Sequence, residues 1–278
     1  MDRDIEISRR RISRRRALTL GGTVGLGGAL VACGADNASP VTATATAAPA
    51  VSGPAALLGQ ASQCVLSKEE TQGPYWFDVD SIRSDIREDR PGATFELALR
   101  ALDCSGSGPI PNAVIEIWHC DAGGVYSGFE SGSAVGPRDA PPGPPPRNGG
   151  GGGAPGGSGG NDQEATPTDD GTYLRGAQTT DKDGIVTFTT IFPGWYRGRT
   201  THIHVKVHID KKTVLTTQLF FDEALLNTVN AAAPYSSHTG RESNTTNAQD
   251  SIYDATGLVT VKQNGSGYLG AINLGIDV

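Results

Sequence analysis

Apolar and polar residues alternate along several short runs of this chain. In the clearest run, residues 202–209, every second position is apolar: Ile203, Val205, Val207 and Ile209. The positions between them are His202, His204, Lys206 and His208. Strict alternation predicts a half-buried β-strand with one face toward a core. Residues two apart share a face, so His202 and His204 lie side by side, roughly 6.5–7 Å apart along the strand.

The same pattern predicts further strands and almost no helix. The predicted strands are Thr94–Leu102, Ala113–Trp118, Ile185–Ile191, Leu215–Phe221, Gly257–Lys262 and Tyr268–Ile272. One short helix is predicted at Glu223–Asn230, and Asp181–Gly184 has the composition of a hairpin turn. Short strands joined by turns predict one all-β domain, a sandwich or a barrel.

Residues 1–33 have the composition of an export signal. Seven arginines precede the glycine-rich apolar run Ala17–Ala32, which is too short and too glycine-rich to predict a membrane-spanning helix. Ser13–Leu18 resembles a twin-arginine motif, and Leu30–Cys33 resembles a bacterial lipobox. We therefore expect export through a twin-arginine route and lipid attachment at Cys33, which gives an extracytoplasmic, membrane-tethered protein. Cleavage without lipidation is the alternative.

Two further segments lack the apolar residues that a core needs. Residues 34–62 are mostly Ala, Thr, Ser, Pro and Gly, so we predict a disordered linker. Residues 131–170 are dominated by Gly and Pro and predict a disordered insertion within the domain. The folded domain is therefore predicted to span residues 63–278.

Charge and cysteine content narrow the possible functions. Without residues 1–33 the chain carries 16 basic and 27 acidic residues, a net charge of −11. An acidic chain without a basic stripe argues against nucleic-acid binding. Cys64, Cys104 and Cys120 permit one disulfide in an exported protein, and the sequence leaves the pair open. Their spacing is not that of a thiolate metal site.

Four residues are candidate metal ligands: Tyr126, Tyr196, His202 and His204. Tyr126 lies in a glycine-rich loop after the predicted strand Ala113–Trp118, and Tyr196 follows the turn Pro193–Gly194. Two phenolates and two imidazoles combine hard anionic oxygen with borderline nitrogen, a set that suits Fe(III) better than Zn(II) or Cu(I). Alternatively, the histidine pair alone holds Zn or Cu, and the tyrosines are ordinary packed side chains.

Five motifs in order resemble the intradiol ring-cleavage dioxygenases. They are Glu70–Pro74, Trp118 with Tyr126, Pro193–Tyr196, Arg199–His204 and Thr217–Phe221. The resemblance spans roughly Cys64–Glu223 outside the insertion. It implies a β-sandwich that binds a non-haem Fe(III) ion. A catechol would bind as a dianion, release Tyr196 and be cleaved by O2 between its two hydroxylated carbons to a cis,cis-muconate.

The resemblance also assigns roles to single residues. Tyr126 and His202 would be equatorial ligands, and Tyr196 and His204 axial ligands. Arg199 would stabilise negative charge on the substrate ring, and Gln218 would form hydrogen bonds beside the metal. The substrate pocket would be lined by Tyr75, Trp76, Trp118 and Tyr173.

Two features depart from the catechol-cleaving members of that family. Only five residues separate Tyr196 from His202, and residues 34–93 show no helical periodicity for a dimerisation region. The sequence specifies neither the ring substituents of the substrate nor the oligomeric state. A non-catalytic β-sandwich that binds carbohydrate or cell wall is the alternative from another functional class.

Overall fold

Nine strands and one α-helix form the part of the chain that the structure, a computed structural model, describes: residues 53–79, 81–106, 108–130 and 166–278. In order these are β1 (Thr94–Asp103), β2 (Gly108–Pro109), β3 (Val114–Trp118), β4 (Arg175–Thr179), β5 (Ile185–Ile191), β6 (His202–Ile209), β7 (Lys212–Phe220), α1 (Glu223–Asn230), β8 (Thr260–Asn264) and β9 (Gly267–Ile276). Short 3₁₀ turns lie at Pro54–Leu57 and in the connections after α1.

The strands pair into two sheets. One sheet has the order β2-β1-β9-β8, and β5 also pairs with β1. The other has the order β4-β3-β6-β7 and is antiparallel throughout. Strand β1 runs parallel to β9 and antiparallel to β5. The all-β sandwich expected from the sequence is therefore confirmed.

The core lies between the two sheets. Ile203, Val205 and Val207 of β6 are fully buried and belong to one cluster with Phe95 and Leu97 of β1. The opposite face of β6 is also buried, which the prediction of a half-buried strand did not include. His202, His204 and Lys206 are 2%, 3% and 6% exposed. Loops cover this second face, and together they enclose the candidate site.

Local sequence explains where α1 begins. Its bounds are those that the sequence predicts. The Asp222 side chain accepts hydrogen bonds from the backbone N–H groups of Ala224 and Leu225, and thereby caps the first turn. Leu226 and Val229 lie one turn apart and are buried.

Strand β4 has no sequence signal of its own, because its residues, RGAQT, do not alternate between apolar and polar. It forms as the antiparallel partner of β3, with Trp118 opposite Arg175. The strand therefore depends on pairing across the sheet and not on intrinsic preference.

The predicted linker, residues 34–62, extends too far at its C-terminal end. Pro54–Leu57 forms a 3₁₀ turn, and Leu57 and Leu58 are buried against Ala98 and Ala271. The Asn273 side chain donates hydrogen bonds to the carbonyls of Leu58 and Ser62. Two leucines in a segment of otherwise mostly small residues anchor it to the sheet.

The predicted insertion also ends earlier than residue 170. Backbone N–H of Thr168 donates to the Gly128 carbonyl at 2.7 Å. The Asp169 carboxylate accepts from the backbone N–H groups of Gly128, Glu130 and Gly171. These contacts fasten the chain on both sides of the insertion to each other.

Other predictions concern segments without described structure. The export signal at residues 1–33, most of the linker and residues 131–165 lie outside the described residues. In the described part of the chain, no helix is both long enough and apolar enough to span a membrane.

Candidate metal centre

Four side chains from three parts of the fold meet at one point. The Nε2 atom of His202 lies 3.1 Å from Nε2 of His204, 3.1 Å from Oη of Tyr196 and 3.5 Å from Oη of Tyr126. The histidines come from β6, Tyr196 from the turn before it, and Tyr126 from the loop after β3. These are the four ligand candidates of the sequence, and we call them the four-residue cluster.

Both imidazoles are neutral in this setting. Burial is the main cause that lowers the pKa of His202 and of His204 well below the usual value, and the Arg199 charge lowers both further. Nδ1 of His202 donates to the Thr200 carbonyl at 2.7 Å, so its Nε2 presents a lone pair to the cluster. Nδ1 of His204 has no hydrogen-bond partner among the described residues.

The two phenols differ in exposure. Tyr126 is 1% exposed and stacks on Tyr75 with ring centroids 4.7 Å apart, whereas Tyr196 is half-buried. Desolvation is the largest cause that raises the pKa of each phenol above its usual value. Both are therefore neutral until a nearby cation compensates the charge of a phenolate.

Packing fixes the ring of His204 from two sides. The Trp118 ring stacks on it in parallel, with centroids 4.9 Å apart and an interplanar angle of 5°. Backbone at Gly73 lies against it, since a Cβ atom at this position would approach His204 Cε1 to 3.2 Å. The positive φ of 72° at Gly73 also favours glycine. Trp118 is completely buried and supports the His204 ring; its role in lining the substrate pocket stays a prediction.

The loop that carries Tyr126 is held by hydrogen bonds on both sides. Before it, the Asp121 carboxylate accepts from the backbone N–H groups of Gly123 and Val125. After it, the buried Arg175 guanidinium donates to Oγ and to the carbonyl of Ser127. The contacts of Asp169 described above complete this support. Tyr126 is thus positioned by the sandwich, although residues 131–165 follow it closely in sequence.

Arg199 lies at the edge of the four-residue cluster in a network of fixed partners. Its Nη2 donates to Oε1 of Gln218, and its Nε donates to Oδ2 of Asp250 at 2.9 Å. The same Asp250 oxygen accepts from the backbone N–H of Thr200 at 2.8 Å. Gln218 is fully buried beside His204 in the strand register and donates to the Thr71 carbonyl. The Arg199 guanidinium is therefore held in one orientation by the Asp250 carboxylate and the Gln218 amide.

Two of the predicted pocket residues, Trp76 and Tyr173, also contact residues outside the four-residue cluster. Trp76 Nε1 donates to the Glu116 carboxylate at 3.1 and 3.2 Å, and Lys206 Nζ lies 3.3 Å from the centre of its ring. Tyr173 packs with Leu174 and Ile191 and lies under the guanidinium of Arg90. The structure therefore groups Trp76 and Tyr75 with Tyr126, and it places Tyr173 in a separate cluster.

The donor atoms fit a single metal ion. Two ligand atoms about 2.0–2.1 Å from one ion, at ordinary coordination angles, lie roughly 2.9–3.6 Å apart. The separations of 3.1, 3.1 and 3.5 Å around His202 Nε2 fall in this range. No group of three His, Cys, Asp or Glu side chains with a metal-binding arrangement occurs within the described residues. At this point the two phenol oxygens are the candidate protein ligands besides the two imidazoles.

Comparisons with solved structures identify proteins that are similar in sequence and fold. The chain is 31% identical to an intradiol ring-cleavage dioxygenase from Tetranychus urticae, with 77% of this chain and 95% of that chain covered and a TM-score of 0.63. It is 25% identical to the dioxygenase domain of a dioxygenase carbohydrate-binding protein fusion from the cellulolytic bacterium Streptomyces sp. SirexAA-E, with coverage of 77% and 99% and a TM-score of 0.51. No family model and no curated protein matches the chain.

The chain belongs to the intradiol ring-cleavage dioxygenase family, so the resemblance stated from the motifs is confirmed. It is an oxidoreductase of the dioxygenase type. This class of enzyme performs catechol-type ring cleavage, and the two-sheet sandwich is consistent with its all-β fold.

Sequence reasoning missed the residues that hold Arg199. Asp250 lies in the polar segment 242–250, where several carboxylates and amides are equally plausible partners. A capping box at Thr246 and Gln249 fixes the turn before it. Asn244 donates to the Arg199 carbonyl, and Asn247 accepts from Oγ1 of Thr200. No local pattern distinguishes these residues from an ordinary surface loop.

We predict that Asp250→Asn lowers the free energy of unfolding by about 1–3 kcal/mol. Asp250 accepts through both oxygens, Oδ2 from Arg199 and Thr200 and Oδ1 from the Ile252 N–H. An amide has a single acceptor oxygen and no charge to pair with the guanidinium. Urea titration measures the change. Asp210→Asn is the matched control on an exposed turn, where we expect at most about 0.5 kcal/mol. Equal losses in the two variants would show that the Asp250 contacts contribute nothing.

Proposed function

We propose that the four-residue cluster holds a ferric ion and that the protein cleaves a catechol between its two hydroxylated carbons to a cis,cis-muconate, with O2 as co-substrate. The observation that carries this proposal is the convergence of two phenol oxygens and two imidazole nitrogens on one point. Tyr126, Tyr196, His202 and His204 would hold the ion.

The chemistry of the donors favours a trivalent hard cation. Buried phenols with a raised pKa lose their protons only to a strong Lewis acid. Neutral imidazoles complete a set with two anionic oxygens and two nitrogens, which suits Fe(III). When bound, the ion supplies Lewis acidity and a template for a chelating diol.

Side chains and backbone of the protein would perform the remaining roles, which are proton transfer and positioning of the ligands. Tyr196 is the half-buried phenol of the pair, so its Oη is the group that can leave the cluster and accept a proton from an incoming diol. Tyr126 is enclosed and remains in place. Trp118 and the backbone at Gly73 keep the His204 ring in one orientation.

Arg199 would stabilise negative charge and would not transfer protons. A guanidinium stays protonated at any physiological pH, so it cannot serve as a base. Asp250 and Gln218 orient it before any substrate arrives, and such preorganised charge stabilises negative charge on a reacting ring without reorganisation. Tyr75, half-buried and stacked on Tyr126, is the residue we propose as a pocket wall.

We also propose that the protein is exported by the twin-arginine route and anchored by a lipid at Cys33. The support is the arginine-rich start, the short apolar run and the Leu30–Cys33 motif. Twin-arginine export carries folded proteins, which suits a metal centre that is assembled before export.

Metal binding tests the donor set directly. We predict that Tyr126→Phe loses most of its iron or shifts the visible phenolate-to-iron absorption, because one anionic ligand is removed. Tyr173→Phe is the matched control, since its ring lies in another cluster and its iron content should equal that of the parent. Elemental analysis and absorption spectra measure both. If Tyr126→Phe and Tyr196→Phe both keep the parent's metal and spectrum, the site uses the histidine pair alone.

Turnover tests the reaction. We predict that the parent converts one or more members of a catechol panel to muconates with matching O2 uptake. Arg199→Ala should keep its iron and lose about 10²–10³ in kcat, the usual cost of removing one preorganised charge-stabilising group. Muconate absorbance and oxygen consumption measure this. Parent-like turnover in Arg199→Ala would refute the role of Arg199, and a coloured parent that is inactive on every catechol would refute the substrate class.

Lipidation has its own test in a bacterial host that exports through the twin-arginine route. We predict that the parent incorporates a labelled fatty acid and sediments with membranes, whereas Cys33→Ala does neither. If the parent is exported but incorporates no labelled fatty acid, the signal is cleaved without lipidation and the alternative is correct.

A further inference from the structure

Cys64 and Cys104 meet at the end of the parallel pair formed by β1 and β9. Cys64 Sγ lies 3.8 Å from the carbonyl of Asp103, the residue before Cys104. Burial is the largest cause that raises the pKa of Cys104 to about 11, and the neighbouring Cys64 thiol raises it further. Backbone N–H of Cys104 donates to the Ile276 carbonyl at 2.9 Å. The two sulfurs therefore come from segments 40 positions apart that the sheet brings together.

Gly275 makes this approach possible. A Cβ atom at this position would lie 2.1 Å from the Val65 carbonyl oxygen and 2.8 Å from Cys104 Sγ. Leu66 forms a parallel bridge with Gly275, and Ser67 N–H donates to the Gly275 carbonyl at 2.9 Å. The segment that carries Cys64 thus packs onto β9 over a position without a side chain, beside the sulfur of Cys104.

The third described cysteine is placed elsewhere. Cys120 is 1% exposed and packs with Trp118 and Tyr126, and its thiol lies 3.5 Å from the Gly194 carbonyl. Cys64 is exposed and Cys104 is partly buried. The structure therefore selects one pair among the three that the sequence leaves open.

We propose that Cys64 and Cys104 form a disulfide when the protein meets an oxidising disulfide of the glutathione type. The exposed Cys64 thiolate attacks a sulfur of the oxidant and releases one thiol. Cys104, as thiolate, then attacks Cys64 in the mixed disulfide and releases the second. The two cysteines lose two protons and two electrons, and the oxidant is reduced to two thiols.

The bond would tie down the segment that covers the four-residue cluster. Only eight residues separate Cys64 from Gly73, whose backbone lies against His204. Thr71, Gly73 and Tyr75 in this segment contact Gln218, His204 and Tyr126. A covalent link at Cys64 limits how far this cover can move when the domain opens locally. This disulfide does not depend on the proposed metal or substrate.

Peptide mapping tests the pair. The full chain is incubated with oxidised glutathione, its free thiols are alkylated in denaturant, and it is cleaved before Asp and after Glu. These cuts place the four cysteines on separate peptides: Cys64 on 36–69, Cys104 on 103–116, Cys120 on 117–120, and Cys33 on another. We expect peptides 36–69 and 103–116 to be linked, with a mass two hydrogens below their sum, and Cys120 to be alkylated.

Thermal unfolding supplies the second readout. Closing a loop of this length should raise Tm by about 5–15 °C over the reduced protein. After the same oxidation, the Tm of Cys64→Ser, of Cys104→Ser and of the double variant should lie below that of the oxidised parent by this amount. The Cys33→Ser control should keep the Tm of the oxidised parent. Free thiols at both positions after oxidation, or a link from either one to Cys120 or Cys33, would overturn the proposal. Equal Tm values for oxidised parent and double variant would overturn the anchoring role.

Discussion

The strand register at the centre of the β4-β3-β6-β7 sheet is the constraint on which the rest of the site depends. Trp118 of β3, His204 of β6 and Gln218 of β7 are direct neighbours across three strands. Side chains alternate between faces, so a slip of one residue would turn His204 into the core and Val205 toward the site. The apolar residues Ile203, Val205 and Val207 prevent that slip because they fill the space between the sheets. Core packing therefore sets the position of the site.

Burial of the polar face of β6 sets the protonation states of the histidines and tyrosines in the four-residue cluster. His202 and His204 are almost fully enclosed, and desolvation keeps both imidazoles neutral and both phenols protonated. Such groups are costly to bury unless they find partners. A cation of high charge at their meeting point, as proposed above, would reverse the preference of the phenols and use the lone pairs of the imidazoles. In the proposed metal centre, the desolvation that keeps these groups uncharged would leave their donor atoms available to the ion.

The cover of the site comes from segments distant in sequence. Residues 70–77 contribute backbone at Gly73 and rings at Tyr75 and Trp76, while the segment around Asp250 aligns Arg199 from the other side. Trp76 reaches Glu116 and Lys206 on the polar face of the sheet. Because these segments approach the cluster from different directions, both faces of β6 are buried. A strand with an alternating pattern is thus enclosed on its polar face as well.

The sequence by itself determined the strands whose alternation is clear, the helix Glu223–Asn230 and the four residues of the cluster, because periodic patterns and motifs are local properties. It also narrowed the disulfide to three possible pairs. Only the tertiary structure decided that Leu57 and Leu58 anchor the first segment, that β4 is a strand, and that Tyr173 lies apart from Tyr126. It alone identified Asp250 as the partner of Arg199, and it placed Cys64 beside Cys104. Each of these rests on contacts between residues far apart in the chain, for which neighbouring residues carry no signal.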